Sequence, residues 1–451
     1  MKIKEAEISP EEIISELSSI LKKQALDGWE IYLIHQLGLS VESKDQKLES
    51  FEKEDTLALA LRILKGKKLG FAHTSDLREK SLKKLVGEIT ENLKELEADP
   101  NFSFPEPQPA PPKLDIFYPA REIDEAKKIK QAFLIEKGAR EIDGRIRRVR
   151  SCEYQELVQK VWLMNSNGLN QSAGSSFFSA QALAVAEDNG ESQIAGEFDW
   201  SFRYDMLKPE VVGRKAGKKA LSKLGARMIP SQKLPVIFTP QVAGEFLEVL
   251  SSAFSGENIA KNKSWLKDSL GKKIFSEKIT LIDDASLLNG PSAFPFDDEG
   301  VNAQKKLLVE NGKVMGFLFD TYYARKFSTS STGNAYRSSI GAPPKIAPSN
   351  FYILPGNKSP QEIIKSLEKG LLIDEVLGIH TADEISGEFS LGASGYMIKK
   401  GEISYPVRGV AIAGTLKELF AKIVEVGSDL KFYSGCASGS LLIEELEVSG
   451  S

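Results

Sequence analysis

The chain has 451 residues, 41% apolar and 27% charged, with a net charge of −4, the make-up of a water-soluble globular protein with core enough for two or three domains. No run of about eighteen apolar residues occurs and the opening MKIKEAEISPEE has no apolar segment, so neither a membrane span nor a secretory signal is expected, and a cytoplasmic protein is the default. Cys152 and Cys436 are too far apart to suggest a disulfide framework, His35, His73 and His380 too scattered for zinc-finger spacing, and the slight acidity speaks against nucleic acid.

Ser9-Pro10-Glu11-Glu12 reads as a helix start, with a Ser cap, Pro in the first turn and Glu three residues after the cap. Ile13, Leu17, Ile20 and Leu21 then recur at helical spacing. Alternating runs at 29–35, 39–51 and 56–64 predict strands, the last turning at Lys65-Gly66-Lys67-Lys68 into 69–73. Residues 76–96 read as a second helix with Leu82, Leu85, Val86, Ile89 and Leu93 inward, which makes 1–100 a small α+β unit. The proline-rich stretch 101–114 predicts an extended spacer, since closely set prolines hold polyproline II and forbid helix. A central region, 115–230, follows. It has a helix at 123–142, strands at 145–154 and 157–164, a turn at Asn165-Ser166-Asn167-Gly168, and a strand pair, 177–187 and 192–202, around Asp188-Asn189-Gly190. The helix 209–224 is basic through Arg214, Lys215, Lys218, Lys219 and Lys223; acidic residues elsewhere balance it and no aromatics are interleaved, so a solvated face is expected.

The C-terminal region, 231–451, opens with a short buried strand at 236–238 feeding a helix at 241–254, with Val242, Phe246, Val249 and Leu250 inward. Glu245 and Glu248 are the only titratable side chains on that helix. Two carboxylates three apart can help hold a hard cation, although a solvated pair is the ordinary outcome. Asp283-Asp284 and Asp297-Asp298-Glu299-Gly300 read as acidic turns without EF-hand spacing, 307–319 as a hairpin over Asn311-Gly312, 415–426 as a helix and 439–448 as a strand. The polar run 328–332 with Gly333-Asn334-Ala335-Tyr336-Arg337 reads as a mobile loop or as a clasp for a peptide backbone. In 387–414, Tyr396, Ile398, Ile403, Tyr405 and Val407 alternate about a turn at Gly401, a hairpin signal. Gly387, Gly392, Gly395, Gly409 and Gly414 exceed what packing requires and predict sharp bends in a curved sheet, or a backbone approached closely by something else. The expected fold is therefore α+β: an N-terminal part of antiparallel strands with flanking helices, then a C-terminal domain dominated by a curved antiparallel sheet or barrel-like core. No G-x-S-x-G, G-x-G-x-x-G or Walker A pattern occurs.

Several motifs together resemble the TldD/PmbA family, historically called modulators of DNA gyrase. They are Thr280-Leu281-Ile282-Asp283-Asp284, Pro295-Phe296-Asp297-Asp298-Glu299-Gly300-Val301, Asn311-Gly312 before a Phe-rich strand, GEISYPVRG at 401–409, the closing GSLLIEELEVSGS, and GKKLGFAHTSDLREKSL at 66–82. The resemblance implies a cytoplasmic metalloprotease system that degrades or trims unfolded peptides. In that family one subunit type carries H-E-x-x-x-H on the helix after the strand matching 236–238, with zinc completed by a later cysteine. Here that helix has no histidine. The chain thus resembles the PmbA/TldE branch, and the resemblance implies a non-catalytic subunit with no cofactor of its own, zinc being expected only in a partner. The implied partners are a zinc-bearing TldD-type homologue in a heteromer, or a second copy in a homodimer, and unfolded peptides, with no membrane and no nucleic acid. Cys436 is expected to be a buried structural thiol. No catalytic residue and no metal ligand are expected. The candidate peptide-binding residues are Phe389, Gly392, Ala393, Gly395, Tyr396, Tyr405, Arg408 and Gly409, on strands able to offer backbone edges to an extended peptide. Two alternatives stand beside this: a self-sufficient peptidase with an acidic metal site at Asp297, Asp298 and Glu299, and a DNA gyrase-related regulatory protein.

Overall fold

Long alternating strands build the first layer. In the computed structural model, which describes residues 9–450, β1 (Gly28–Lys44), β2 (Lys47–Lys65), β3 (Lys68–Thr74), β4 (Ile146–Asn165), β5 (Asn170–Asp188) and β6 (Glu191–Ser201) pair antiparallel in the order β3-β2-β1-β4-β5-β6. The two regions predicted on either side of the proline-rich stretch therefore share one sheet. Side chains alternate between its faces. Trp29, Ile31, Leu33, Leu39 and Val41 of β1, Tyr154, Val158 and Trp162 of β4, and Phe178, Ala180, Ala182 and Ala184 of β5 point one way and are buried. Four helices cover that face: α1 (Pro10–Lys22), α2 (Glu79–Asn92), α3 (Glu125–Arg140) and α4 (Pro209–Ser222). The opposite parity, including Tyr32, Ile34, Gln36, Gln159 and Val161, faces the C-terminal region.

The start of α1 is as predicted: the Ser9 hydroxyl accepts from the Glu12 amide and Glu12 Oε2 accepts from the Ser9 amide. The predicted strand 39–51 is instead two strands joined at Asp45-Gln46, both at positive φ (52° and 56°) without a glycine to announce it. The separate strands predicted at 145–154 and 157–164 are one continuous β4. The proline-rich stretch is not a loose spacer. Phe104 is buried, Asn165 Nδ2 donates to the Pro105 carbonyl, and Gln108 Oε1 and the Pro109 carbonyl accept from Asn302. The basic side of α4 is largely taken up in ion pairs, Arg214 with Glu210, Lys219 with Glu197, and Lys223 with Asp374 and Glu375.

The C-terminal region holds a closed five-stranded barrel formed by β7 (Gln232–Phe238), Lys369–Leu377, Glu388–Lys399, Glu402–Thr415 and Leu441–Ser449. Pairing of Ala411 with Ser449 and Ile412 with Val448 closes the ring. The predicted hairpin turns at Lys400-Gly401, and a bulge with Gly409 at φ 65° bends its second strand. After β7 the chain enters α5 (Pro240–Ser252), whose Phe246 ring stacks on Phe238 at 4.9 Å and meets Phe389 edge-on at 5.1 Å. A smaller sheet beside the barrel includes β8 (Leu281–Asp284), β9 (Lys305–Glu310), Phe351–Ile353 and Cys436–Ser438. Asp283-Asp284 is thus a buried strand end rather than a turn; Asn334 Nδ2, the Ser349 hydroxyl and Lys306 Nζ surround Asp283. The helix predicted at 415–426 is one short helix, Leu416–Ala421, followed by a strand, Ile423–Val426. Among the described residues no helix is long and apolar enough to cross a membrane.

Candidate functional site

Between the uncovered face of the first sheet and the C-terminal region lies a cleft of about 820 Å³. Its sheet side is laid out by register. Thr56, Gln36, Gln159 and Ser175 stand opposite one another on β2, β1, β4 and β5, a polar rung across four strands. One step along, Glu54, Leu157 and Phe177 share the next rung; one step back, Ile34 and Val161 share another. The facing wall comes from loops carrying Phe294, Phe296 and Gly333–Arg337, and a further part of the lining from Glu248 and Ser251 of α5 with Cys436. Cys436 is 4% exposed, and burial, with the charges of Glu248 and Asp283 adding, pushes its thiol well above the ordinary range. It is a neutral, weakly reactive sulfur.

The acidic turn at 297–299 sits on the rim of this cleft and has other work. Asp297 accepts from the amides of Glu299, Val301 and Ala335, and Asp298 from the Tyr32 hydroxyl and the Arg337 amide. Glu299 receives Arg62 Nη1 at 2.9 Å and the Thr321 amide. Arg62 in turn forks onto Glu30 at 2.8 and 2.5 Å, and Arg337 Nη2 reaches Glu30 at 2.9 Å. Glu30, Arg62, Glu299 and Arg337 are all buried, so this network ties the first sheet to the C-terminal region. Burial would raise Glu299, but the Arg62 guanidinium and the Thr321 hydrogen bonds together outweigh it and hold the carboxyl below its usual range. Among the described residues no group of three or more His, Cys, Asp or Glu side chains is placed to hold a metal.

None of the eight residues proposed for peptide binding on the 389–409 strands lines the cleft. Phe389 and Ala393 belong to the barrel core. A Cβ at Gly395 would lie 1.9 Å from the Leu372 carbonyl oxygen, so that glycine serves strand-to-strand approach. Gly392 pairs with Leu377 and Ala411 at once. Tyr405 packs under Arg227, the Tyr396 hydroxyl meets Ser222, and the Arg408 amide donates to the Arg227 carbonyl. Both edges of 388–399 are thus paired, while 402–415 meets Arg227 near Val407 and the last strand at Ala411 and Ile412. The polar run 328–332 is pinned through Ser331 and Thr332 to Phe319, while Gly333–Arg337 does reach the cleft. The rung residues went unnoticed in the sequence; only strand parity, which sets Gln36 and Gln159 on the face away from the helices, marks them.

Zinc, the metal the resemblance implies for such a system, is poorly matched by these side chains. The cleft end of α5 offers one carboxylate, one hydroxyl and a protonated thiol, and His35, His73 and His380 lie outside the lining. Zinc hydrolysis needs about three protein ligands and an acid/base group. On the same helix, burial raises the half-buried Glu245 carboxyl to about 7. Its folded pKa is then above the unfolded value, so its contribution is present in acid and lost as pH rises through about 7. Relative to Glu245→Gln, the parent protein is expected to lose thermal stability between roughly pH 5 and pH 8. Parallel melting curves across that range check this; curves that stay parallel exclude it.

The curled first sheet and the closed barrel fall within segments that match the domains of one metallopeptidase family. Models of the PmbA/TldA metallopeptidase match residues 29–93 as domain 1, 118–224 as the central domain and 231–450 as the C-terminal domain. The chain belongs to this family. It is 29% identical over 432 residues to the metalloprotease PmbA of Escherichia coli O157:H7, covering 94% of this chain and 92% of that one. Among solved structures, a Thermotoga maritima protein named for modulation of DNA gyrase superposes with TM-score 0.90 at 29% identity, covering 98% of this chain and all of that one. TldE from Thermococcus kodakarensis superposes with TM-score 0.89 at 25% identity, covering 98% and 99%.

Proposed function

We propose that this chain is a non-catalytic subunit of a cytoplasmic TldD/TldE-type metalloprotease, pairing with a zinc-bearing TldD-type relative and lending its cleft to hold unfolded peptide. The observation that carries the proposal is the donor set in this part of the cleft: Glu248 and Ser251, on the helix where the resemblance implies zinc ligands in the catalytic subunit type, with Cys436 beside them and no histidine. The cleft, about 820 Å³ and bordered by four long strands, is the part of the chain that would receive such a peptide. The test is zinc content by elemental analysis of tag-free protein prepared without chelators, together with peptidase assays of the chain alone and mixed with a TldD-type relative. The expected result is far less than one zinc per chain, no hydrolysis alone, and hydrolysis by the mixture above that of the relative alone. About one zinc per chain, or chelator-sensitive hydrolysis by the homogeneous protein, overturns the proposal.

A further inference from the structure

The polar rung across the first sheet is the part of the cleft that neither the fold nor the buried ion network requires. Gln36 Nε2 donates to Gln159 Oε1 at 3.3 Å, which uses one end of each amide and leaves the Gln36 oxygen and the Gln159 nitrogen free for a ligand. The Ser175 hydroxyl lines the cleft from a residue only 9% exposed, and it has no hydrogen-bond partner among the described residues. On either side of this row lie apolar groups, Ile34 and Val161 before it, Leu157 and Phe177 after it. A row of donors and acceptors flanked by apolar strips fits an extended peptide, whose backbone offers N–H and C=O whatever its sequence and whose side chains alternate.

The charge of the lining narrows the ligand. Glu54 and Glu248 line the cleft with no ion-pair partner among the described residues, whereas burial pushes the Asp297 and Asp298 carboxyls up and backbone amides and the Tyr32 hydroxyl occupy them; the cation in the lining, Arg337, is turned onto Glu30 and the Ala342 carbonyl. Glu248 is exposed in the cleft, and its carboxylate has no ion-pair partner among the described residues. Apolar walls concentrate such a field on whatever enters.

We infer that the cleft is a track for an extended, positively charged peptide, its backbone held by the Gln36–Gln159–Ser175 rung and its ammonium or guanidinium groups by Glu248 and Glu54. This rests on the reading that the cleft holds peptide, and the test separates the two. Three dye-labelled unstructured peptides of matched apolar content, one rich in lysine, one neutral and one rich in glutamate, are titrated with the full chain by fluorescence anisotropy. The lysine peptide is expected to bind at least about tenfold tighter than the glutamate peptide at low salt, a preference that added salt compresses. Glu248→Gln is expected to remove most of that preference, whereas Gln159→Leu and, as a milder change, Ser175→Ala are expected to weaken all three peptides by a common factor. Binding of all three with equal affinity overturns the inference and leaves the peptide reading standing; binding of none overturns both.

Discussion

Replacing Arg62 by methionine is expected to lower the unfolding free energy by about 3–5 kcal/mol at neutral pH, the size of effect seen when one member of a buried charge network is removed. The guanidinium is the hub between Glu30, its cross-strand partner on β1, and Glu299 from the C-terminal acidic turn, and all three are nearly inaccessible to water. Without it, Arg337 still faces Glu30, but Glu299 keeps only the Thr321 amide. The pH dependence identifies the cause. In the parent protein Arg62, helped by Thr321, holds the Glu299 carboxyl low despite burial. In Arg62→Met burial prevails, the folded pKa rises above the unfolded one, and Glu299 then favours folding only below the unfolded value of about 4.3. The deficit is therefore expected to shrink in acid and to reach its full size by neutrality. Urea unfolding of both proteins at several pH values measures it. A deficit that is independent of pH and below about 1 kcal/mol would place the network with surface ion pairs and reject this account.

A loss of similar size, about 3–5 kcal/mol, is expected for Phe246→Ala. The ring is fully buried where α5 packs against the barrel, parallel to Phe238 and edge-on to Phe389. Two of its neighbours sit on hydrogen-bonded strands of a closed ring, so the walls have little freedom to collapse into the space left, and collapse is what makes such changes cheap elsewhere. Phe246→Leu keeps most of the volume and is expected to cost a smaller part. Chemical denaturation with an unchanged m-value is the check. Because Glu248 lies two residues further along the same helix, the alanine variant is also expected to bind cationic peptides less tightly. A cost below about 1 kcal/mol would mean that the ring is not locked in this way.

Elements with local chemistry could be read directly. The capping box of α1, the glycine-assisted turns at Gly66, Gly168, Gly190 and Gly401, and the inward leucines of α2 are where the sequence places them. The turn at Asp45-Gln46 escaped because its positive φ angles carry no glycine, and β4 was cut in two where Gln155 and Glu156 interrupt the apolar alternation. Glu156 is in fact buried against Lys128, a partner supplied from α3 that no local pattern announces. The cleft was less legible. Its rung joins residues from four strands, two of them over a hundred positions from the other two, so no window of sequence contains it. The glycines of 387–414 were a true signal with two meanings, and the closed barrel explains them as bends and close strand contacts. The acidic turn was likewise visible as a cluster, but its partners Tyr32, Arg62 and Arg337 belong to distant segments, and those partners decide its role.

The strand that closes the barrel is also the last of its five in chain order. Leu441–Ser449 lies beside β7 and touches Glu402–Thr415, so β7 waits for one of its neighbours through the synthesis of some two hundred further residues. The first sheet, whose strands end by Ser201, can pair while translation continues. The barrel cannot; until residue 449 clears the ribosome its apolar strands present open edges. Such edges favour mispairing and capture by chaperones. In a growing chain the helix bearing Glu248 therefore packs against an incomplete ring until residues 441–449 have been added.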